Sequence, residues 1–142
     1  MGHSAWRLTP KQSIEAECAR RGRCAVNAGC ARLIDGDDTD AGLIMVLGGP
    51  AAAKFFDGHM HDDVYWLRVW GTRGLLWAWD GSRPAAVATA LGDEAWRVRE
   101  LAVKVVARHR LDEHLATVAQ LRGDPVPRVA AAAHRAVTVL VK

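Results

Sequence analysis

Residues 93–106, DEAWRVRELAVKVV, decide the fold, because the stretch returns in degenerate form at one fixed spacing. Asp62, Asp93 and Asp124 stand 31 residues apart. Behind each aspartate the same positions agree: Leu67, Val98 and Val129; Gly71, Ala102 and Ala133; Arg73, Lys104 and Arg135; Leu75, Val106 and Val137. A period in this range marks stacked supersecondary units, none of which can bury its apolar face alone. On a wheel of about 100° per residue, Val98, Leu101, Ala102, Val105 and Val106 share the face expected to be buried, and Ala107 falls on the far side. Gly71, Ala102 and Ala133 occupy one wheel position, where a small residue lets a neighbouring helix approach closely.

With 142 residues and 50% hydrophobic content, the chain can bury the core of one domain. Alanine and valine are abundant and no alternating strand-like pattern occurs, so the expected class is all-α. Against 16 Asp and Glu, 19 Lys and Arg leave a net charge of +3, weaker than the usual footprint of a nucleic-acid binder. The placement of the arginines therefore matters more than their sum. The start MGHSAWRLTPKQ lacks a charged region followed by an apolar run, and no stretch approaches the ~20 apolar residues of a membrane span. A cytoplasmic protein without a membrane partner is expected. Cys18, Cys24 and Cys30 follow one another at a spacing that scatters them around a helix axis, so they read as reduced thiols, mostly small buried hydrophobes, with neither zinc nor another cofactor expected.

Thr9 followed by Pro10 starts a helix over 10–21, and Gly22, after Arg20 and Arg21, stops it. A second helix is expected over 23–34, ending in the acidic turn DGDDTD. Residues 41–47 close at Gly48-Gly49-Pro50 and a short apolar run follows over 51–56, as one helix kinked at the glycines or as two short ones. The repeat register does not extend back here, since it sets Ala31 against Asp62. The N-terminal third, 1–49, is thus a diverged repeat or a cap in front of three units over 50–142. Further helices are expected over 64–79, 84–91 with Ser82 as a cap, 95–108, 112–121 and 127–141.

Asp93-x4-Val98-Arg99 with Ala102, preceded by a helix ending in Leu91-Gly92-Asp93, resembles the HEAT repeat: two antiparallel helices joined by an Asp-bearing turn, with Val-Arg opening the second helix. Asp62-x4-Leu67-Arg68 matches with Leu for Val, and Asp124-Pro125-Val126-Pro127-Arg128-Val129 matches the turn and the valine, with Ala130 in place of the arginine. The resemblance spans residues 50–142 and implies an α-solenoid of about four helix pairs. It also implies a hydrogen-bonded Asp–Arg ladder between successive repeats, carried by Asp62, Asp93, Asp124, Arg68 and Arg99, with the loss at Ala130 suiting a last rung. A bond repeated at the period is structural, because an active site is needed once and an interface bond at every interface.

Several groups could carry function. Arg73, Lys104 and Arg135, flanked by Arg97 and Arg128, would form a basic stripe across the second helices, which line the concave side in the HEAT family; the bland alternative is a solvated charged face partly neutralised by Glu100. Trp66 and Trp96 fall away from the apolar face, as a partner-contacting aromatic would, although packing against the neighbouring repeat is the role expected first. Trp66, Trp70, Trp77 and Trp79 fall on one expected helix, so some of them must pack in the core. His59, His61, Asp62 and Asp63 offer metal-ligand atoms on a loop that reads more simply as solvated, and no metal is expected there; His109, His114 and His134 read as helix-surface residues.

The expected function is a non-catalytic HEAT-repeat binding or scaffold module that recognises a protein or peptide partner. The alternative is nucleic-acid (DNA) binding through the concave basic stripe. A DNA-glycosylase-like enzyme comes third: alkyl-base DNA glycosylases are built from similar repeats and use Trp, Asp and Arg on the concave side, but no motif here lets a catalytic residue be carried over. The concave surface discriminates among the three. Continuous positive potential with an exposed tryptophan suits nucleic acid, a cleft with a buried carboxylate suits an enzyme, and a mixed apolar groove suits a peptide.

Overall fold

The computed structural model describes residues 8–142, which form eight α-helices and no strand; the reading of the first residues as free of a targeting signal lies outside them. α1 (Pro10–Arg21) opens on the expected cap. Thr9 Oγ1 accepts from the Gln12 amide at 3.1 Å, the Gln12 side chain accepts from the Thr9 amide at 2.9 Å, and Pro10 fills the first turn, where an amide would have no partner. Gly22, at φ 94°, turns the chain into α2 (Arg23–Ile34) through a conformation that a Cβ would strain. α3 (Ala41–Gly48) gives way to a 3-10 helix, Gly49–Phe56, so the glycine pair separates two short helices rather than kinking one.

α4 (Tyr65–Ala78), α5 (Pro84–Leu91), α6 (Trp96–His109), α7 (Leu115–Gln120) and α8 (Pro127–Leu140) follow the expected order, with α7 flanked by 3-10 turns at Asp112–His114 and Leu121–Gly123. Ser82 does not cap α5. Its hydroxyl donates to Asp80 Oδ1 at 2.6 Å, and Arg83 stands at the cap position without a side-chain bond.

α2 packs along α4, α4 along α6 and α6 along α8, while α1 lies against α2 and α4, α3 against α4, α5 against α6 and α7 against α8. One apolar core runs through these contacts, from Ile14 through Cys30, Leu43, Leu75, Val98 and Val106 to Ala136. Each valine or leucine taken out of water there contributes roughly 1.5–3 kcal/mol before conformational entropy is counted. Because α6 meets α4, α5 and α8, its buried face is broader than the wheel suggests: Val103 is fully buried, and Ala107, expected on the far side, packs against the core.

Small residues set how close the helices come. A Cβ on Gly71 would lie 2.9 Å from the Cys30 carbonyl and 2.9 Å from Leu33 Cβ, whereas Ala102 and Ala133, at the same register position of α6 and α8, are fully buried with theirs. Trp70 closes the other side of α4 over Gly48, where a Cβ would come within 2.6 Å of the indole.

The turns ahead of α6 and α8 are tied down by paired Asp and Arg. Arg68 donates to Asp93 through Nε at 2.7 Å and Nη2 at 3.2 Å, and Arg99 to Asp124 in the same way at 2.8 and 3.1 Å. Arg99 Nη1 also donates to the Asp93 carbonyl at 2.9 Å, so the four residues form one continuous chain. Each aspartate accepts a backbone amide besides, from Ala95 and from Val126. Asp62 is not a rung. It is exposed, and the register position that would supply its arginine is occupied by Asp37. No helix among the described residues is long and apolar enough to cross a membrane.

Candidate partner-binding site

The first turns of α4, α6 and α8 bring together Trp66, Arg97 and Arg128, the same register position of three successive long helices, with Trp96 between them. The Arg97 guanidinium lies 4.5 Å from the centroid of Trp96 and 5.3 Å from that of Trp66, and the Arg128 guanidinium lies 5.1 Å from Trp96. Tyr65 stacks on Trp66 at 5.3 Å and 27°. Aromatic and cationic groups thus alternate across three helices, each contact being worth about 0.5–1 kcal/mol at partly exposed positions. Each of these indoles already carries two neighbours over its ring.

A second row runs one turn further along. Glu100, buried on α6, accepts from Arg128 Nε at 3.0 Å and Nη2 at 3.1 Å, with Lys104 Nζ 3.9 Å away. Arg73 does not continue it: its Nη2 donates to the Leu47 carbonyl at 2.6 Å, its Nε is buried without a partner, and burial pulls the guanidinium below its usual value. Arg135 is exposed on α8 and makes no ion pair among the described residues. Of the seven residues singled out in the sequence, Trp66, Trp96, Arg97 and Arg128 meet directly, Lys104 joins them through Glu100, and Arg73 and Arg135 stand apart.

Beside Trp66, a groove of about 350 Å³ opens between the 3-10 helix and α4, lined by Ala51, Lys54, Phe55, Trp66 and Trp70. Phe55 meets Trp70 edge to face at 5.8 Å, and Trp70 lies 6.4 Å from Trp66, so three aromatic rings form most of the wall. Lys54 covers Phe55 at 5.1 Å and pairs with Asp63, whose carboxyl it holds below the usual range. Ala51, Lys54 and Phe55 were read only as part of a short apolar run, because the positions that repeat at 31 residues begin at Asp62. The available signal was Phe55-Phe56, two large apolar residues in a short run behind Gly48-Gly49-Pro50.

The remaining candidates have other duties. Asp57 accepts the His59 amide at 2.8 Å and lies 3.1 Å from His61 Nε2, and Asp63 is engaged by Lys54. Among the described residues no group of three or more His, Cys, Asp or Glu could hold a metal ion. His109 and His114 are not the surface residues expected. Nε2 of His109 donates to the Leu75 carbonyl at 2.9 Å while its ring stacks on Trp79, burial lowers its pKa, and His114 is buried. Cys30 is buried and its thiol is pushed up to about 12, Cys18 is partly covered, and Cys24 is exposed rather than buried. Compared with family models, curated proteins and solved structures, the chain has no significant match.

Proposed function

We propose that the chain is a HEAT-like α-solenoid acting as a non-catalytic binding module, and that it takes a peptide segment of a partner protein into the groove beside α4. The solenoid reading is supported by the 31-residue spacing, by the succession of contacts from α2 through α4 and α6 to α8, and by the Arg68–Asp93 and Arg99–Asp124 pairs recurring at that spacing. The groove carries the functional reading: its walls are three aromatic rings and an alanine with one lysine at the edge, the mixed apolar character that suits a peptide side chain.

Nucleic acid is the second reading, favoured by Arg128 and Lys104 sharing the single carboxylate Glu100 while Arg97 beside them has no ion-pair partner among the described residues. Base stacking needs an open ring, however, and Trp66 and Trp96 are covered by Tyr65 and the two guanidinium groups. An enzyme would need a carboxylate free to exchange a proton, and Glu100 is engaged by Arg128 and Lys104.

The test is to pan a random-peptide display library against the wild-type chain and against Ala51→Trp, which fills the groove from its exposed edge without touching the core. Peptides enriched on the wild type and lost on Ala51→Trp are expected. No groove-dependent peptide, together with oligonucleotide binding that falls steeply with salt, would transfer the assignment to nucleic acid. In that titration Lys11, exposed on α1, is the control for charge reversal at Lys104; Lys54 is unsuitable, since it lines the groove.

A further inference from the structure

The groove has a cation beside it that no carboxylate among the described residues neutralises. Arg97 lies over Trp66, the wall it shares with the groove, and has no carboxylate within ion-pair distance among the described residues. A guanidinium stacked by its face keeps its N–H donors at the edge, free for a bidentate carboxylate. Among the described residues Arg73, on α4 less than a turn beyond Trp70, also has no carboxylate of its own, and Arg128 and Lys104 have only Glu100 between them.

On the peptide-binding reading above, we propose that the occupant is an acidic segment of a partner protein. A large apolar side chain of that segment fills the space between Phe55, Trp66 and Trp70, and a carboxylate two residues away pairs with Arg97. In an extended segment, side chains two residues apart share a face at a separation of ~7 Å. That suits a site in which the guanidinium stands 5.3 Å from the ring forming the groove wall. The apolar side chain supplies the drive, because the aromatic wall gains from excluding water. The carboxylate supplies selectivity: Arg97 is already held between two indoles, so little side-chain freedom is lost when it binds. A nucleic-acid backbone would be drawn by the same cations but would gain nothing from the apolar walls.

The experiment uses a fluorescein-labelled Gly-Ser peptide bearing one tryptophan and one aspartate two residues apart. Matched versions carry asparagine or lysine for the aspartate, or alanine for the tryptophan. Each is titrated into the wild-type chain and into Arg97→Gln, Arg97→Glu and Ala51→Trp, whose helicity is checked by circular dichroism. The aspartate peptide should bind the wild type about tenfold more tightly than its asparagine version, an advantage that Arg97→Gln removes and that Arg97→Glu turns into a preference for the lysine peptide. If tryptophan peptides bind, and are blocked by Ala51→Trp, whatever their charge, the acidic partner is wrong while the peptide reading stands. If no version binds, or Ala51→Trp changes nothing, both fall. A dimer in sedimentation that Ala51→Trp dissociates would put a second copy in the groove and would equally overturn the proposal.

Discussion

The seam between α2 and α4 and the seams that join α4 to α6 and α6 to α8 hold neighbouring helices together by different means. Along the later seams an arginine of one long helix reaches an aspartate in the turn ahead of the next, at Arg68–Asp93 and Arg99–Asp124, and the close-packing position carries a methyl, Ala102 or Ala133. At the earlier seam the corresponding polar positions are Asp37 and Asp62, two acids that cannot pair, and the close-packing position is Gly71. There glycines line the contact instead: Gly71 sits against the Cys30 carbonyl and Gly74 against the Cys30 sulfur. Polar attachment falls to Arg21, which bridges Glu17 and Asp40, and to Asn27, which donates to Asp80 at 2.6 Å. An interface can therefore be specified by a repeated bond or by the removal of a side chain.

The contrast is broken most severely at Gly71. Gly71→Leu should destabilise the protein by about 3 kcal/mol, because the contacts it meets first are a backbone carbonyl and a Cβ, neither of which can swing away. Denaturant melts measure it, and a cost as small as that of a surface substitution would show the α2–α4 seam to be loosely packed. Next comes the polar seam: Arg99→Ala should cost about 2 kcal/mol, leaving the Asp124 carboxylate, 3% exposed, with a backbone amide alone. Arg68→Ala should cost less, since Arg68 is 23% exposed against 14% for Arg99. The reverse order would refute the burial argument.

Acid sharpens the comparison further. The bond from Arg99 holds the Asp124 carboxyl below its ordinary value, so its contribution is complete above the unfolded pKa of ~3.9 and is lost as pH falls through the lower folded value. His109 is also depressed, by burial at the α4–α6 contact, and its contribution is complete above ~6.5 and declines as pH drops from there through its folded pKa. Stability followed by denaturant from neutral pH downward should thus fall in two steps. His109→Gln should flatten the first and Arg99→Ala the second; a single step in all three proteins would contradict the assignment. The smallest effect belongs to the exposed pair at the groove edge: Lys54→Ala should change stability by less than ~1 kcal/mol, with no dependence on the seams.

The regular half of the fold was legible because its determinants recur. The Gly-Asp turns placed its helices, the resemblance implied the Asp–Arg pairs, of which Arg68–Asp93 and Arg99–Asp124 form, and the 31-residue register aligned Trp66, Arg97 and Arg128. What was not legible depends on contacts made once. Ala107 packs against the core because α6 has neighbours on three sides, which a wheel drawn for one helix cannot show. Arg73 leaves its expected row for the Leu47 carbonyl, on a segment outside the repeat. The groove needed both parts at once, Trp66 and Trp70 from the periodic region and Phe55 from the segment before it.

The three thiols, spread over a buried, a partly covered and an exposed position, make the molecule a chemical clock for its own opening. Cys24 meets an alkylating reagent at once, and Cys18 more slowly, whereas the sulfur of Cys30 is shut between α2 and the glycines of α4 and keeps its proton. Its labelling waits for the two helices to part, so the lag between the first and the last modification times how often that seam breathes in the native state.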